Sequence, residues 1–130
     1  LAHYLDTSAL LKLVVAEPET VALQAWLAET GGEWVSSDLA RTELMRAVRR
    51  AAPDHLVRAR AVLDSVTLLE VTTEIFEEAG RLDPRILRTL DAVHLAAALA
   101  LGDDLEGIVT YDERLAAAAQ SSGVASMAPG

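Results

Sequence analysis

A chain of 130 residues, more than half hydrophobic and without cysteine, suits one domain with a packed core. It excludes disulfides, thiolate nucleophiles and cysteine-zinc sites. The formal charge of −9 argues against a general nucleic-acid binder, which carries a basic footprint, and no apolar run is long enough to span a bilayer. His3 to Leu5 reads as a strand and Ser8 to about Val15 as a helix. Pro18 suits the first turn of a second helix, to about Glu29, stopped by Gly31 and Gly32. Glu33 to Ser36 is strand-like, Asp38 to Ala51 helical, and Pro53 opens a helix to about Asp64. Val66 to Val71 reads as a strand, with helices from Thr73 to Leu82 and Leu87 to Leu101. Ile108 to Thr110 is a buried strand, Asp112 to Ser121 a helix, and Gly123 to Met127 a short last strand. Strands separated by helices predict an α/β fold, a parallel sheet flanked by helices on both faces. No repeat or linker divides the chain, so residues 1–130 read as one domain.

Asp6 stands out because it follows the first strand directly and is surrounded by apolar residues. In open parallel sheets ligands collect outside the carboxyl ends of the strands, and Asp112 follows a strand in the same way. Asp112 also fits a helix start, with Thr110 and Glu113 spaced as a capping box. Asp91 shares a helix face with Leu95 and Ala98, among residues nearly all apolar. A first-turn dipole benefit of at most ~1–2 kcal/mol hardly justifies burying that charge. Glu43 flanks the stripe Ala40, Leu44, Ala47, Val48, with Arg46 and Arg50 at i+3 and i+7; a surface Glu–Arg pair is its plainer reading.

Convergence of Asp6, Glu43, Asp91 and Asp112 would be costly without a counter-charge. Two charges ~5 Å apart at an effective dielectric of ~20 repel by roughly 3 kcal/mol. Such a group must share protons or hold a cation, and an all-oxygen set suits Mg²⁺ or Mn²⁺. A divalent ion there lowers the pKa of water and neutralises charge on a phosphodiester.

The segments LDTSALLKL around Asp6, SSDLARTEL around Glu43, LDAVHLAAAL around Asp91 and IVTYDERL around Asp112 resemble the PIN-domain ribonucleases, and among them the VapC toxins of toxin–antitoxin pairs. The resemblance covers essentially the whole chain. It implies a PIN-like sheet and a metal-binding catalytic set at Asp6, Glu43, Asp91 and Asp112, with Thr7, Ser8 and Thr110 as hydroxyl supports beside it. It also implies Mg²⁺- or Mn²⁺-dependent endonucleolytic cleavage of RNA, a homodimer, and inhibition by a cognate VapB antitoxin. A non-catalytic binding domain of the same fold is the alternative.

Other residues keep two readings. Ten of the eleven basic residues are arginine, which suits forked phosphate contacts and equally reflects genome base composition. Arg46, Arg49 and Arg50, or Arg81, Arg85 and Arg88, either line an RNA path or form solvated faces. His94, one turn beyond Asp91, reads as a packed core histidine before a catalytic base. Trp26 and Trp34 read as core or dimer contacts. A phospho-accepting receiver would need a lysine after a late strand, and the sole lysine is Lys12. A haloacid-dehalogenase-type phosphatase would need an Asp where Ser8 stands. With no basic leader and cleavage site ahead of Asp6, a cytoplasmic location is expected.

Overall fold

β1 (Ala2–Leu5) is buried at every position and forms the middle of a five-stranded sheet. The structure, a computed structural model, describes residues 1–130. The other strands are β2 (Glu33–Ser37), β3 (Thr67–Leu69), β4 (Leu105–Val109) and β5 (Ser126–Met127). Their order is β3-β2-β1-β4-β5, and every pairing is parallel. Neighbouring residues of a strand face opposite sides, and both sides are covered. Tyr4 joins one apolar cluster and Leu5 the other, as Ile108 and Val109 do on β4.

Four helices pack on the Leu5 side: α1 (Thr7–Val14), α2 (Thr20–Thr30), α3 (Leu39–Ala51) and α4 (Leu56–Asp64). They contribute Leu10, Leu23, Leu44 and Leu63, all fully buried. On the Tyr4 side lie α5 (Thr73–Ala79), α6 (Thr89–Leu99) and α7 (Glu113–Ser121), through Ile75, Leu95 and Leu115. Alanines at 92, 96, 97 and 98 let α6 sit close beneath the sheet. No helix is long and apolar enough to cross a membrane.

The expected alternation is present, with local differences. α2 begins at Thr20 rather than Pro18, because the Thr20 hydroxyl closes a turn, accepting from Glu17 N and donating to Lys12 O. Pro53 opens a three-residue 3₁₀ turn, Pro53–His55, that leads into α4. α5 stops at Ala79 and α6 waits until Thr89; the intervening segment contains Pro84, which cannot continue a helix. Thr110 and Glu113 do not form a capping box. Asp112 is the cap of α7, its Oδ1 accepting from the amides of Arg114 and Leu115.

From β1 the chain moves outward through β2 to β3, then returns to the other side of β1 for β4. The carboxyl ends of β1 and β4 therefore flank the point where the winding reverses, the place where open parallel sheets take ligands.

Candidate active site at the carboxyl ends of β1 and β4

Asp6 leaves β1 at this point and caps α1. It is 4% exposed, and three donors hold its carboxylate. Oδ1 accepts from the Ser8 hydroxyl at 2.6 Å and the Ala9 amide at 3.1 Å; Oδ2 accepts from the Thr110 hydroxyl at 2.7 Å. Burial pushes the Asp6 carboxyl above its ordinary value, and the bonds from Ser8 and Thr110 with the charge of His94 only partly oppose it. An anion so placed calls for a nearby cation.

Thr110 ties Asp6 to Asp112. While donating to Asp6, its hydroxyl accepts from the Asp112 amide at 3.0 Å. The two oxygens of Asp112 then divide their work: Oδ1 caps α7, and Oδ2 accepts from Arg88 Nη2 at 2.7 Å. Capping and a place in the acid group are thus compatible for this residue.

Glu43 arrives from α3 on one side of the sheet and meets His94 of α6 from the other. The Thr7 hydroxyl donates to Glu43 Oε1 at 2.7 Å, and His94 Nε2 lies 2.5 Å from the same oxygen. Burial alone would raise the Glu43 carboxyl, but the hydrogen bond and charge of His94, with Thr7, outweigh it and leave the group below its ordinary value. Glu43 is therefore an anion bound into the interior, rather than half of a surface pair with Arg46 or Arg50. His94 is buried, as expected of a core histidine, yet it touches the acid group directly. The sequence signal was its place in the apolar run of α6, where a buried imidazole must find partners.

Asp91, in the first turn of α6, accepts from Arg88 Nε at 3.0 Å through Oδ2. Arg88 thus holds Asp91 and Asp112 together, and their carboxylates, Asp91 first, raise its own pKa. Glu43, Arg88, Thr89, Leu90 and Asp91 line a cavity of about 310 Å³. The remaining arginines lie elsewhere. Arg46, Arg49 and Arg50 line a groove of about 270 Å³ on α3. Arg81 pairs with Glu78, and Arg85 borders a separate cavity with Phe76, Leu82 and Val93. Trp26 and Trp34 pack around His3, with ring centroids 5.1 and 5.6 Å from the imidazole.

Thr110 and Arg88 thus link Asp6, Asp112 and Asp91 in one chain of contacts, while Glu43, held by His94 and by Thr7 next to Asp6, shares a cavity with Asp91. As arranged, no three Asp, Glu or His side chains stand close enough to hold a metal ion between them. The chemistry of the group nonetheless fits a hard divalent cation: every donor is a carboxylate oxygen, burial leaves the Asp6 carboxyl in need of a counter-charge when ionised, and Asp91 and Asp112 already share one positive partner in Arg88.

Comparison with known proteins bears on the family and the fold. The family model described as PIN domain matches residues 3–120. Ribonuclease VapC46 of Mycobacterium tuberculosis (strain ATCC 25618 / H37Rv) is 46% identical, with 98% of each chain covered. Ribonuclease VapC47 of M. tuberculosis (strain CDC 1551 / Oshkosh) is 42% identical, covering 98% of this chain and 96% of its own. Among solved structures, M. tuberculosis VapC20, described as a sarcin-ricin loop cleaving toxin, superposes with a TM-score of 0.78 at 20% identity, covering 98% of this chain and 99% of its own. VapBC2 from Rickettsia felis, bound to a DNA fragment from its promoter, gives 0.71 at 13% identity, with 98% of each chain covered. At those identities the structural likeness speaks for the fold, and the sequence matches speak for the family. By sequence and by fold, the chain belongs to the PIN-domain family and, within it, to the VapC ribonucleases.

Proposed function

We propose that this protein is a divalent-metal-dependent endoribonuclease, acting as a growth-inhibiting toxin that a VapB-type antitoxin neutralises. The observation that carries the reading is the buried Asp6 carboxylate at the reversal point of the sheet, connected through Thr110 and Arg88 to Asp112 and Asp91, with Glu43 lining the same cavity as Asp91. The names of its VapC relatives support RNA as the substrate, and the toxin–antitoxin complexes among its structural neighbours support the partner. Residues 1–130 then work as one PIN domain, as a homodimer in the cytoplasm.

Asp6, Asp91, Glu43 and Asp112 would hold Mg²⁺ or Mn²⁺. Such an ion supplies Lewis acidity and a water of lowered pKa, with neutralisation of charge on the phosphodiester. The protein's own part is placement. Ser8, Ala9 and Thr110 fix the Asp6 carboxylate, and Thr7 with His94 fixes Glu43 Oε1. Arg46 and Arg50 lie about one and two turns along α3 from Glu43, where they would take phosphates without reading bases. Neither is engaged by an acid, whereas Arg41, Arg81 and Arg88 are. Arg85 would contact the strand from the α6 side, as would Arg88 once its two carboxylates bind a divalent ion.

The test is cleavage of a structured RNA by purified protein with Mn²⁺, Mg²⁺ or chelator, alongside Asp6→Asn. Metal-dependent cutting by wild type and none by a folded Asp6→Asn protein is expected. Equal cutting by the two proteins overturns the site assignment. RNA binding without cutting at any metal concentration favours a non-catalytic PIN-like domain.

A further inference from the structure

Tyr4, His94 and Glu43 form a buried chain through the middle of the molecule. The Tyr4 hydroxyl lies 2.7 Å from His94 Nδ1, and His94 Nε2 lies 2.5 Å from Glu43 Oε1. The three residues come from β1, α6 and α3, and the contacts span 90 and 51 positions in sequence. Tyr4 is fully buried and His94 is 2% exposed, so neither can meet a substrate. Glu43 is half-buried and lines the cavity that Asp91 also lines.

The direction of the bonds follows from the donors available. A tyrosine hydroxyl donating to Nδ1 leaves the proton of the neutral ring on Nε2, aimed at Glu43. The charged ring carries a proton on Nε2 as well, so both forms donate to the carboxylate. Thr7 donates to the same oxygen. With Oε1 held by two donors, the carboxylate plane is set, while Oε2 accepts no hydrogen bond within the protein. A leucine would fill the volume of His94, but it would leave the Tyr4 hydroxyl and Glu43 Oε1 each short of a partner. Ligating carboxylates depend on such outer partners for their orientation.

We propose that His94, itself held by Tyr4, is a positioning residue that presents Glu43 Oε2 to the divalent ion. The inference rests on the metal-dependent activity proposed above.

Equilibrium binding of Mn²⁺, followed by the electron paramagnetic resonance of the free ion, reads this without relying on turnover. His94→Leu should weaken binding about 10- to 100-fold, the usual effect of losing an outer partner. His94→Gln, whose amide N–H can still reach Glu43, should recover most of it, and Tyr4→Phe should fall between. Melting curves in chelator identify the folded variants. A folded His94→Leu that binds Mn²⁺ as wild type does, or a Gln variant no better than Leu, overturns the proposal. If His94→Leu does not fold, wild-type binding by Tyr4→Phe overturns it. Failure of the underlying reading looks different: wild type and Asp6→Asn would then bind Mn²⁺ equally.

Discussion

Arg88 reaches Asp112 at 2.7 Å, joining the residue before α6 to the cap of α7. The same guanidinium donates to Asp91 at 3.0 Å, so one cation serves two carboxylates of the proposed site. A divalent ion must compete with it for those oxygens. Arg88 is 60% exposed, so the competition is weak and sensitive to salt. Arg88→Ala should tighten Mn²⁺ binding by about two- to fivefold at low ionic strength, with the gain shrinking as salt rises. Weaker binding by the variant, measured by calorimetry, would show that the arginine helps to assemble the site instead.

Thr110 serves two acids with one hydroxyl. Thr110→Val keeps the shape but leaves Asp6 Oδ2 and the Asp112 amide without a partner. The expected cost is about 1–3 kcal/mol in urea unfolding with chelator present, and Thr110→Ser should restore most of it. Equal stability of the Val and wild-type proteins would mean that these groups find other partners.

His3 supplies a pH dependence away from the acids. Burial lowers its pKa below the ordinary 6.5, against the opposing charge of Glu106, 3.6 Å from Nδ1. The folded form therefore gives up its proton more readily than the unfolded chain. Its contribution is intact above about 6.5 and is lost as pH falls from there through the lower folded value. His3→Phe, which keeps an aromatic ring between Trp26 and Trp34, should lose less stability than wild type between pH 7 and pH 5, as judged by denaturant midpoints. Parallel pH curves for the two proteins would refute it.

Gly107 lies where β5 approaches β4. An added Cβ would stand 2.5 Å from Met127 Cε and 3.0 Å from the carbonyl oxygen of Ala125. The methionine end can swing away, but Ala125 O accepts from Ile108 N and cannot move freely. Gly107→Ala should cost about 1–3 kcal/mol by denaturant titration, through loosening of the β5 edge. A loss under ~0.5 kcal/mol would show that β5 adjusts without strain.

Much of this arrangement was legible in the sequence because local rules and topology pointed the same way. Asp6 follows a buried strand and must emerge at its carboxyl end, and the helix between each pair of strands forces parallel pairing. What stayed hidden depends on contacts between residues far apart in the chain. Nothing near His94 in sequence announces Tyr4 or Glu43, and Arg88 reads as a surface charge until α7 is placed beside it. Helix ends were missed for a local reason: the Thr20 turn delays α2 past Pro18, where a first-turn proline suggested its start, and Arg88 is still extended, so α6 begins at Thr89 rather than Leu87.

The acid group is drawn from both layers of the molecule, with Asp6 bonded to a residue 104 positions away. A chain that has collapsed on one side only would possess every carboxylate and no centre. The closure of β4 beside β1 is therefore a condition for the proposed centre, and it is a long-range contact of the kind that forms slowly. The proposed chemistry would then require the finished fold, and no fragment of the chain would carry it.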